Sequence, residues 1–151
     1  MTRSVLFVCL GNICRSPTAE AVFRALAARA ELPVLTDSCG TSDWHVGAPP
    51  YGPSITAAAV RGYDLSALRA RQLSARDFNA FDLIVAMDRD NLRAIEAKRP
   101  RGNATPVALL LEETPDCGAT DVPDPYYTRD FDGTLDLVEE ACRALVARLA
   151  G

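Results

Sequence analysis

Hydrophobic and polar residues fall along the chain in blocks. The first block, Val5–Cys9, is a continuous β-rich run with no polar interruption, the pattern of a strand covered on both faces. Ser16-Pro17 then predicts a helix start, serine as cap and proline at the first helical position. Val22, Phe23, Leu26, Ala27 and Ala30 follow at helical spacing, and Pro33–Ser38 reads as a second short strand. Residues 40–53, GTSDWHVGAPPYGP, carry enough glycine and proline to be a loop. A helix is expected over Ser54–Arg61, carrying Ile55, Ala59 and Val60. Ser74 and Asp77 predict a short capped helix ahead of a strand at Leu83–Met87. Asp90 is read as the cap of a helix running to Lys98 with Leu92 and Ile95, and Val107–Leu111 as a fourth apolar strand. After a second loop, 112–130, rich in Pro, Asp and Tyr, the segment Gly133–Ala150 shows Leu135, Val138, Cys142, Leu145 and Leu149 at 3-4-3-4 spacing.

Strands alternating with helices predict an α/β protein: a single-domain three-layer fold, 1–151, with a four-stranded parallel twisted sheet and helices on both faces. Parallel crossovers are right-handed, and such sheets bind ligands beyond the carboxyl ends of their strands. The segment after Cys9 occupies one of those ends. A chain of 151 residues buries roughly 68–70% of its unfolded surface, enough to fold without a metal or disulfide.

Composition narrows the function classes. The chain is 48% hydrophobic and 24% charged, with a formal net charge of −4 and no long basic run, so nothing supports a nucleic-acid partner. No stretch approaches the ~20 apolar residues of a membrane-spanning helix. Ser4–Leu10 is too short for a signal peptide and lacks a small-residue cleavage site, which predicts a cytoplasmic location, secretion without such a signal being left open. Five cysteines, Cys9, Cys14, Cys39, Cys117 and Cys142, make an odd set for a disulfide scaffold and read better as reduced thiols. With one histidine and no CxxC, neither a structural zinc nor any other metal or cofactor is expected.

Candidate chemistry concentrates in VLFVCLGNICRSP, residues 5–17. Gly11 and Asn12 tolerate positive φ, so the N–H groups from Leu10 through Gly11, Asn12, Ile13, Cys14 and Arg15 can turn inward as an anion nest at a helix N-terminus. Arg15 adds a planar fork for two oxygens. The same field favours a thiolate, lowering Cys9 from about 8.5 to roughly 4–7, with Ser16 as a further donor to sulfur. A thiolate beneath a phosphate cradle is a nucleophile aimed at phosphorus. The loop is no nucleotide P-loop, because Gly-x4-Gly-Lys-Ser/Thr is missing. The plainer alternative makes Cys9 a buried strand end; Cys-x5-Arg-Ser-Pro at a strand-to-helix junction speaks against it.

Cleavage of an aryl phosphate needs a proton for the departing oxygen. Asp124 stands out because Pro123 and Pro125 flank it, although Asp-Pro turns are common and local sequence alone favours a plain turn. The cysteine loop and the adjoining Tyr126-Tyr127 reverse that balance, with Asp121 as the fallback acid. Tyr126 and Tyr127 suit a slot for a phenyl ring, Trp44 its opposite wall and Ile13 its floor. His45 reads as a rim residue. Cys14, five residues beyond Cys9 in a curled loop, reads equally as a disulfide partner for it or as a second small apolar residue. Cys39, Cys117 and Cys142 look structural.

The stretches FVCLGNICRSPTAE (7–20), DSCGTSDWHVG (37–47), ARQLS (70–74), FDLIVAMDRDNL (81–92) and DPYY (124–127) run in order over nearly the whole chain. In them the sequence resembles the low-molecular-weight protein tyrosine phosphatases. The resemblance implies metal-free, two-step hydrolysis of phosphotyrosine in proteins and of small aryl phosphates. Cys9 attacks and forms a cysteinyl-phosphate; Arg15 and the loop N–H groups hold the equatorial oxygens, and Ser16 stabilises the thiolate. Asp124 acts as acid and then as base, and Asn12 and Ser38 support the loop. A reversible oxidised state of Cys9 and Cys14 would shield the nucleophile from over-oxidation.

The chain departs from the family pattern at two places. Leu68 stands where the family commonly has a histidine bonded toward the loop asparagine, which predicts a less rigid loop and a less acidic Cys9, because leucine donates no hydrogen bond. Tyr51 replaces an aspartate common at the outer rim. Rival readings remain. Arsenate reductases share the Cys-x5-Arg loop but need two further cysteines, and residues 88–103 hold none. Arginine phosphatases carry threonine where this chain has Ile13. A phosphate-binding module would not need Asp124, and a thiol sensor built on Cys9 and Cys14 would turn over no phosphate. Fold analogy alone does not separate these readings; the site residues do.

Overall fold

Every residue of β1 (Ser4–Cys9) is buried, as its unbroken apolar run demands, because the strand lies between two others and under helices on each face. The computed structural model describes all 151 residues. Its remaining strands are β2 (Leu35–Gly40), β3 (Leu83–Ala86) and β4 (Val107–Leu109), all parallel, in the order β2-β1-β3-β4. The helices are α1 (Arg15–Arg29), α2 (Gly52–Val60), α3 (Asp77–Ala80), α4 (Arg89–Lys98), α5 (Pro125–Thr128) and α6 (Phe131–Ala150).

The two-residue period of β1 divides the core. Val5, Phe7 and Cys9 face a cluster with Val22 and Phe23 of α1, Ala58 of α2 and Leu135, Val138, Cys142 and Leu145 of α6. Leu6 and Val8 face Phe78 of α3 and Ile95 of α4. Helices therefore cover both faces, the expected α/β architecture. The chain leaves β1 for β2 on one side and β3 on the other, so a topological switch lies at the carboxyl end of β1, where Cys9 is the last strand residue.

Several boundaries differ from expectation for local reasons. Helix α1 begins at Arg15 after Cys14, whose side chain makes no capping bond; Ser16 is inside the helix and its hydroxyl is drawn to the loop instead. Asp88, not Asp90, caps α4, accepting from the Asn91 N–H at 2.7 Å. Helix α6 starts at Phe131, two residues ahead of the expected Gly133, with Asp130 as its cap through the Gly133 N–H at 2.8 Å. β4 stops at Leu109, and Leu110–Glu113 tighten into a 3-10 turn. Helix α2 starts at Gly52 and buries Ser54 and Ala58, leaving Val60 84% exposed, so the expected Ala59-Val60 face points outward. The loop 112–130 contains α5, with Asp124 as its cap and Pro125 in its first turn.

Candidate active site

The turn after β1 packs against the end of β2. A Cβ on Gly40 would lie 2.7 Å from the Leu10 carbonyl oxygen, so only glycine lets the two backbones cross there. Asn12 takes the left-handed conformation at φ 57°, whereas Gly11 does not. At Gly11 the demand is milder: a Cβ there would press on the His45 ring at 3.0 Å, which a small shift of that side chain would relieve.

This curl aims donors at sulfur. The Asn12 N–H lies 3.3 Å from Cys9 Sγ, and Ser16 Oγ lies 3.0 Å from the same atom. Asn12 Nδ2 donates to Ser16 Oγ at 2.8 Å and to Ser38 Oγ at 3.0 Å. Its Oδ1 accepts from the Arg71 backbone N–H at 3.1 Å. Ser38 in turn donates to Glu20 Oε1 at 2.7 Å. Proton directions follow from the far end. The Glu20 carboxylate only accepts, so Ser38 spends its proton there and must accept from Asn12. The Asn12 amide is thereby oriented, its second N–H goes to Ser16, and the Ser16 proton is left for Cys9 Sγ or the Cys39 carbonyl at 3.3 Å. Glu20 is 2% exposed; burial raises its pKa, against the Ser38 hydrogen bond and the Arg24 charge.

Leu68 packs partly buried against the main core, and the backbone of Arg71 donates to Asn12. Replacement of the histidine thus leaves no orphaned atom on the Asn12 amide. Arg71 is itself fixed by Asp77 through both Nη atoms, at 3.1 and 3.0 Å, and by Asp37 through Nε.

Arg15 is 3% exposed and enters the site from the first turn of α1. Its Nη1 meets Asp88 Oδ2 at 2.5 Å and the Val122 carbonyl at 3.1 Å, and Nη2 lies 3.4 Å from Asp124 Oδ2. Burial works against the guanidinium charge, but the Cys9 sulfur and the two carboxylates outweigh it and raise the pKa. Asp124 is held by a helix-capping bond from the Tyr126 N–H at 3.1 Å to Oδ1, which frees Oδ2 to face Arg15. Cys14 lines the cleft too, and burial pushes its thiol up to about 11.

Above these groups opens a cleft of about 180 Å³. Cys9, Leu10, Gly11, Ile13, Cys14 and Arg15 form its floor. Asp124, Tyr126 and Tyr127 from the later loop and Trp44 and His45 from the earlier one complete its lining. Asn12, Ser16 and Ser38 lie beneath as the supporting layer. The structure thus brings together every candidate except Asp121, which pairs with Arg89 at 3.1 Å and does not line the cleft. No group of three His, Cys, Asp or Glu side chains converges as a metal site would require.

Sequence reasoning missed Asp88, Glu20, Arg71 and Gly40. Asp88 had a signal, since it follows β3 at the same edge of the sheet where Cys9 ends β1. Glu20 had one as well, being an acidic residue on the core-facing side of a helix.

Comparison with known proteins gives one answer. Residues 4–151 match the family model of low molecular weight phosphotyrosine protein phosphatase. The low molecular weight protein-tyrosine-phosphatase YfkJ of Bacillus subtilis is 41% identical over 148 residues, 97% of this chain and 95% of that protein. Its crystal structure superposes with a TM-score of 0.94, at 40% identity over 99% of this chain and 96% of that one. The low molecular weight phosphotyrosine protein phosphatase of Sus scrofa is 37% identical over 155 residues, 99% of this chain and 97% of that protein. A drosophila arginine phosphatase shares the fold at a TM-score of 0.91, with 30% identity over 100% of this chain and 99% of that one. With a matched family model spanning almost its whole length, this chain belongs to the low molecular weight phosphotyrosine protein phosphatases.

Proposed function

We propose that the protein hydrolyses phosphotyrosine in proteins, and small aryl phosphates, through a phosphoryl group carried on Cys9. The observation that carries this reading is the pair of donors on the Cys9 sulfur, the Asn12 N–H and the Ser16 hydroxyl, in a cleft shared with Arg15 and Asp124. In the first step the Cys9 thiolate forms an S–P bond as the P–O bond to the tyrosyl oxygen breaks, and Asp124 gives that oxygen its proton. In the second, water attacks phosphorus, Asp124 takes its proton, and the S–P bond breaks to return the thiolate and release inorganic phosphate. Arg15 and the N–H groups of residues 10–15 hold the oxygens that carry the developing charge. Ile13 and the tyrosines supply apolar walls for the phenyl ring. Asn12 and Ser38 hold the loop in shape.

Cys14 gives the site a second use of sulfur. Peroxide oxidation of Cys9 to a sulfenic acid, followed by attack of the Cys14 sulfur with loss of water, closes a disulfide that a thiol reductant reopens. No helix is long and apolar enough to cross a membrane.

Hydrolysis of p-nitrophenyl phosphate with reductant and EDTA present tests the reading. Wild type turns over and Cys9→Ser falls by at least about 10⁴-fold. The phosphorylated enzyme, trapped by rapid acid quench, carries its added mass on the Cys9 peptide. Equal activity of the two proteins, or the label elsewhere, refutes the mechanism. A phosphoarginine peptide in the same assay separates the drosophila enzyme's named substrate from phosphotyrosine, and the apolar Ile13 predicts phosphotyrosine as the better one.

A further inference from the structure

We propose that Arg129 is a specificity-determining residue, a fixed cation at the mouth of the cleft that reads a carboxylate two or three residues from the phosphotyrosine of a peptide substrate. The inference rests on the phosphotyrosine reading above.

Arg129 follows α5 in the left-handed conformation, φ 62° and ψ 11°, at a helix end where glycine or asparagine is usual. A residue with a Cβ is disfavoured there, and such strain collects where a side chain has a task. The guanidinium carbon lies 5.3 Å from the ring centre of Tyr51 and 5.2 Å from that of Phe131. Nη1 donates to the Tyr51 hydroxyl at 3.0 Å and to the Tyr126 carbonyl at 3.4 Å. Both acceptors are neutral. Arg129 forms no ion pair, while the carboxylates around it are engaged elsewhere. Asp124 faces Arg15, Asp130 caps α6, and Asp132 pairs with Arg61 at 3.5 Å. Nε and Nη2 keep free donors, in a chain whose net charge is −4.

Two links tie this cation to the active site. Tyr51 stacks on Tyr126, a wall of the cleft, at 5.2 Å between ring centres. The Tyr51 backbone N–H donates to the carbonyl of Ile13, in the cleft floor, at 2.7 Å. Arg129 thus packs on a ring that itself stacks on the cleft-lining Tyr126. An extended peptide advances about 3.3–3.6 Å per residue, so a side chain two or three positions away spans that ring. The aromatic rings and the backbone turn order the guanidinium before substrate arrives, which lowers the entropy cost of a carboxylate contact.

The test compares two phosphotyrosine peptides identical except for Asp or Glu against Asn or Gln at those flanking positions, with p-nitrophenyl phosphate as a substrate that does not reach the rim. Wild type should favour the acidic peptide in kcat/KM by about 3- to 5-fold, as an exposed but ordered ion pair allows. The preference should shrink at about 1 M salt, where the screening length is about 3 Å. Arg129→Gln should abolish it and leave p-nitrophenyl phosphate hydrolysis unchanged. An undiminished preference in Arg129→Gln, no preference in wild type, or an equal fall on all three substrates overturns the proposal; the last would make Arg129 part of the loop framework. Binding of both peptides to the Cys9→Ser protein separates this idea from the chemistry. If wild type hydrolyses nothing while Cys9→Ser still binds the acidic peptide more tightly, the phosphatase mechanism falls and the role of Arg129 stands.

Discussion

The loop after Cys9 and the loop that carries Asp124 meet at one cleft, yet they are held in different ways. In the first, Asn12, Ser16, Ser38 and Glu20 are buried and joined donor to acceptor, so each fixes the proton position of the next. In the second, Tyr126 and Tyr127 are 43% and 71% exposed, and the loop is tethered by stacking, by the Asp124 and Asp130 caps and by the contact of Arg15 with Asp124. A buried network holds one geometry, because any unpaired member pays desolvation without return. An exposed, stacked loop leaves room for substrates to differ. On the proposed mechanism chemistry belongs to the first loop and substrate choice to the second, which meets Arg15 through Asp124 and the Val122 carbonyl.

Asp124→Asn is therefore the strongest way to break the division. It removes the proton donor of the proposed mechanism and leaves a side chain that can still cap α5, so the loop stays in place. The expected loss in kcat is about 10²- to 10⁴-fold on phosphotyrosine peptides. It should be smaller on p-nitrophenyl phosphate, whose departing oxygen needs less help from an acid. A loss of equal size on both substrates would mean that Asp124 holds Arg15 rather than moves a proton, and steady-state kinetics with the two substrates decides it.

The reach of sequence reasoning follows the same boundary. Cys9, Arg15 and Ser16 were legible because seven or eight consecutive residues hold the whole motif at a strand-to-helix junction. Asp124 was legible through its flanking prolines and tyrosines. Asn12 and Ser38 came through the family resemblance, whereas Asp88, Glu20 and Arg71 were passed over. Asp88 reaches Arg15 across 73 positions because β1 and β3 are neighbours in the sheet, and strand order is not written in either segment. Arg71 serves Asn12 through a backbone N–H, an atom that every residue but proline carries, so no residue type marks it. The same fact explains why Leu68 leaves the Asn12 amide fully paired. Ser16, expected as a helix cap, was misread because a hydroxyl near a helix start has two employments, and the sulfur three-dimensionally beside it takes precedence.

A subtler break is Glu20→Gln, which keeps the shape of the first loop's anchor and removes its certainty of direction. An amide can donate to Ser38, whose own proton is then turned against the Asn12 N–H, and the order that leaves the Ser16 proton for Cys9 or the Cys39 carbonyl is lost. The expected cost is about 1–3 kcal/mol of stability for the unpaired polar group and about 10-fold in kcat. Its pH dependence is defined. The folded state raises the pKa of Glu20, so folding favours the protonated acid, and this contribution is full below the unfolded value near 4.5 and lost as pH rises through the folded one. Glutamine cannot titrate, so urea unfolding should show a larger penalty for the substitution at pH 4 than at pH 7. A penalty that grows with pH would show that the Arg24 charge dominates burial at Glu20.

The smallest effect sharpens the comparison best. Asp121 lies three residues before Asp124, in the same loop, and its carboxylate takes the Arg89 backbone N–H at 3.0 Å and the guanidinium at 3.1 Å. The Arg89 hydrogen bond and charge outweigh slight burial and hold its pKa below the usual carboxylate range. That contribution is present above pH 3.8 and disappears only as pH falls through the lowered value, so Asp121 is ionised at neutral pH. An ionised carboxylate turned from the cleft has no proton to give, and an exposed ion pair is worth about 0–1 kcal/mol. Asp121→Asn should therefore lower the midpoint of thermal unfolding slightly and leave kcat within about two-fold, with both limbs of the pH–rate profile unmoved. If it instead cost as much as Asp124→Asn, the whole loop would act as one rigid unit, and the division of chemistry from substrate choice between the two loops would fail.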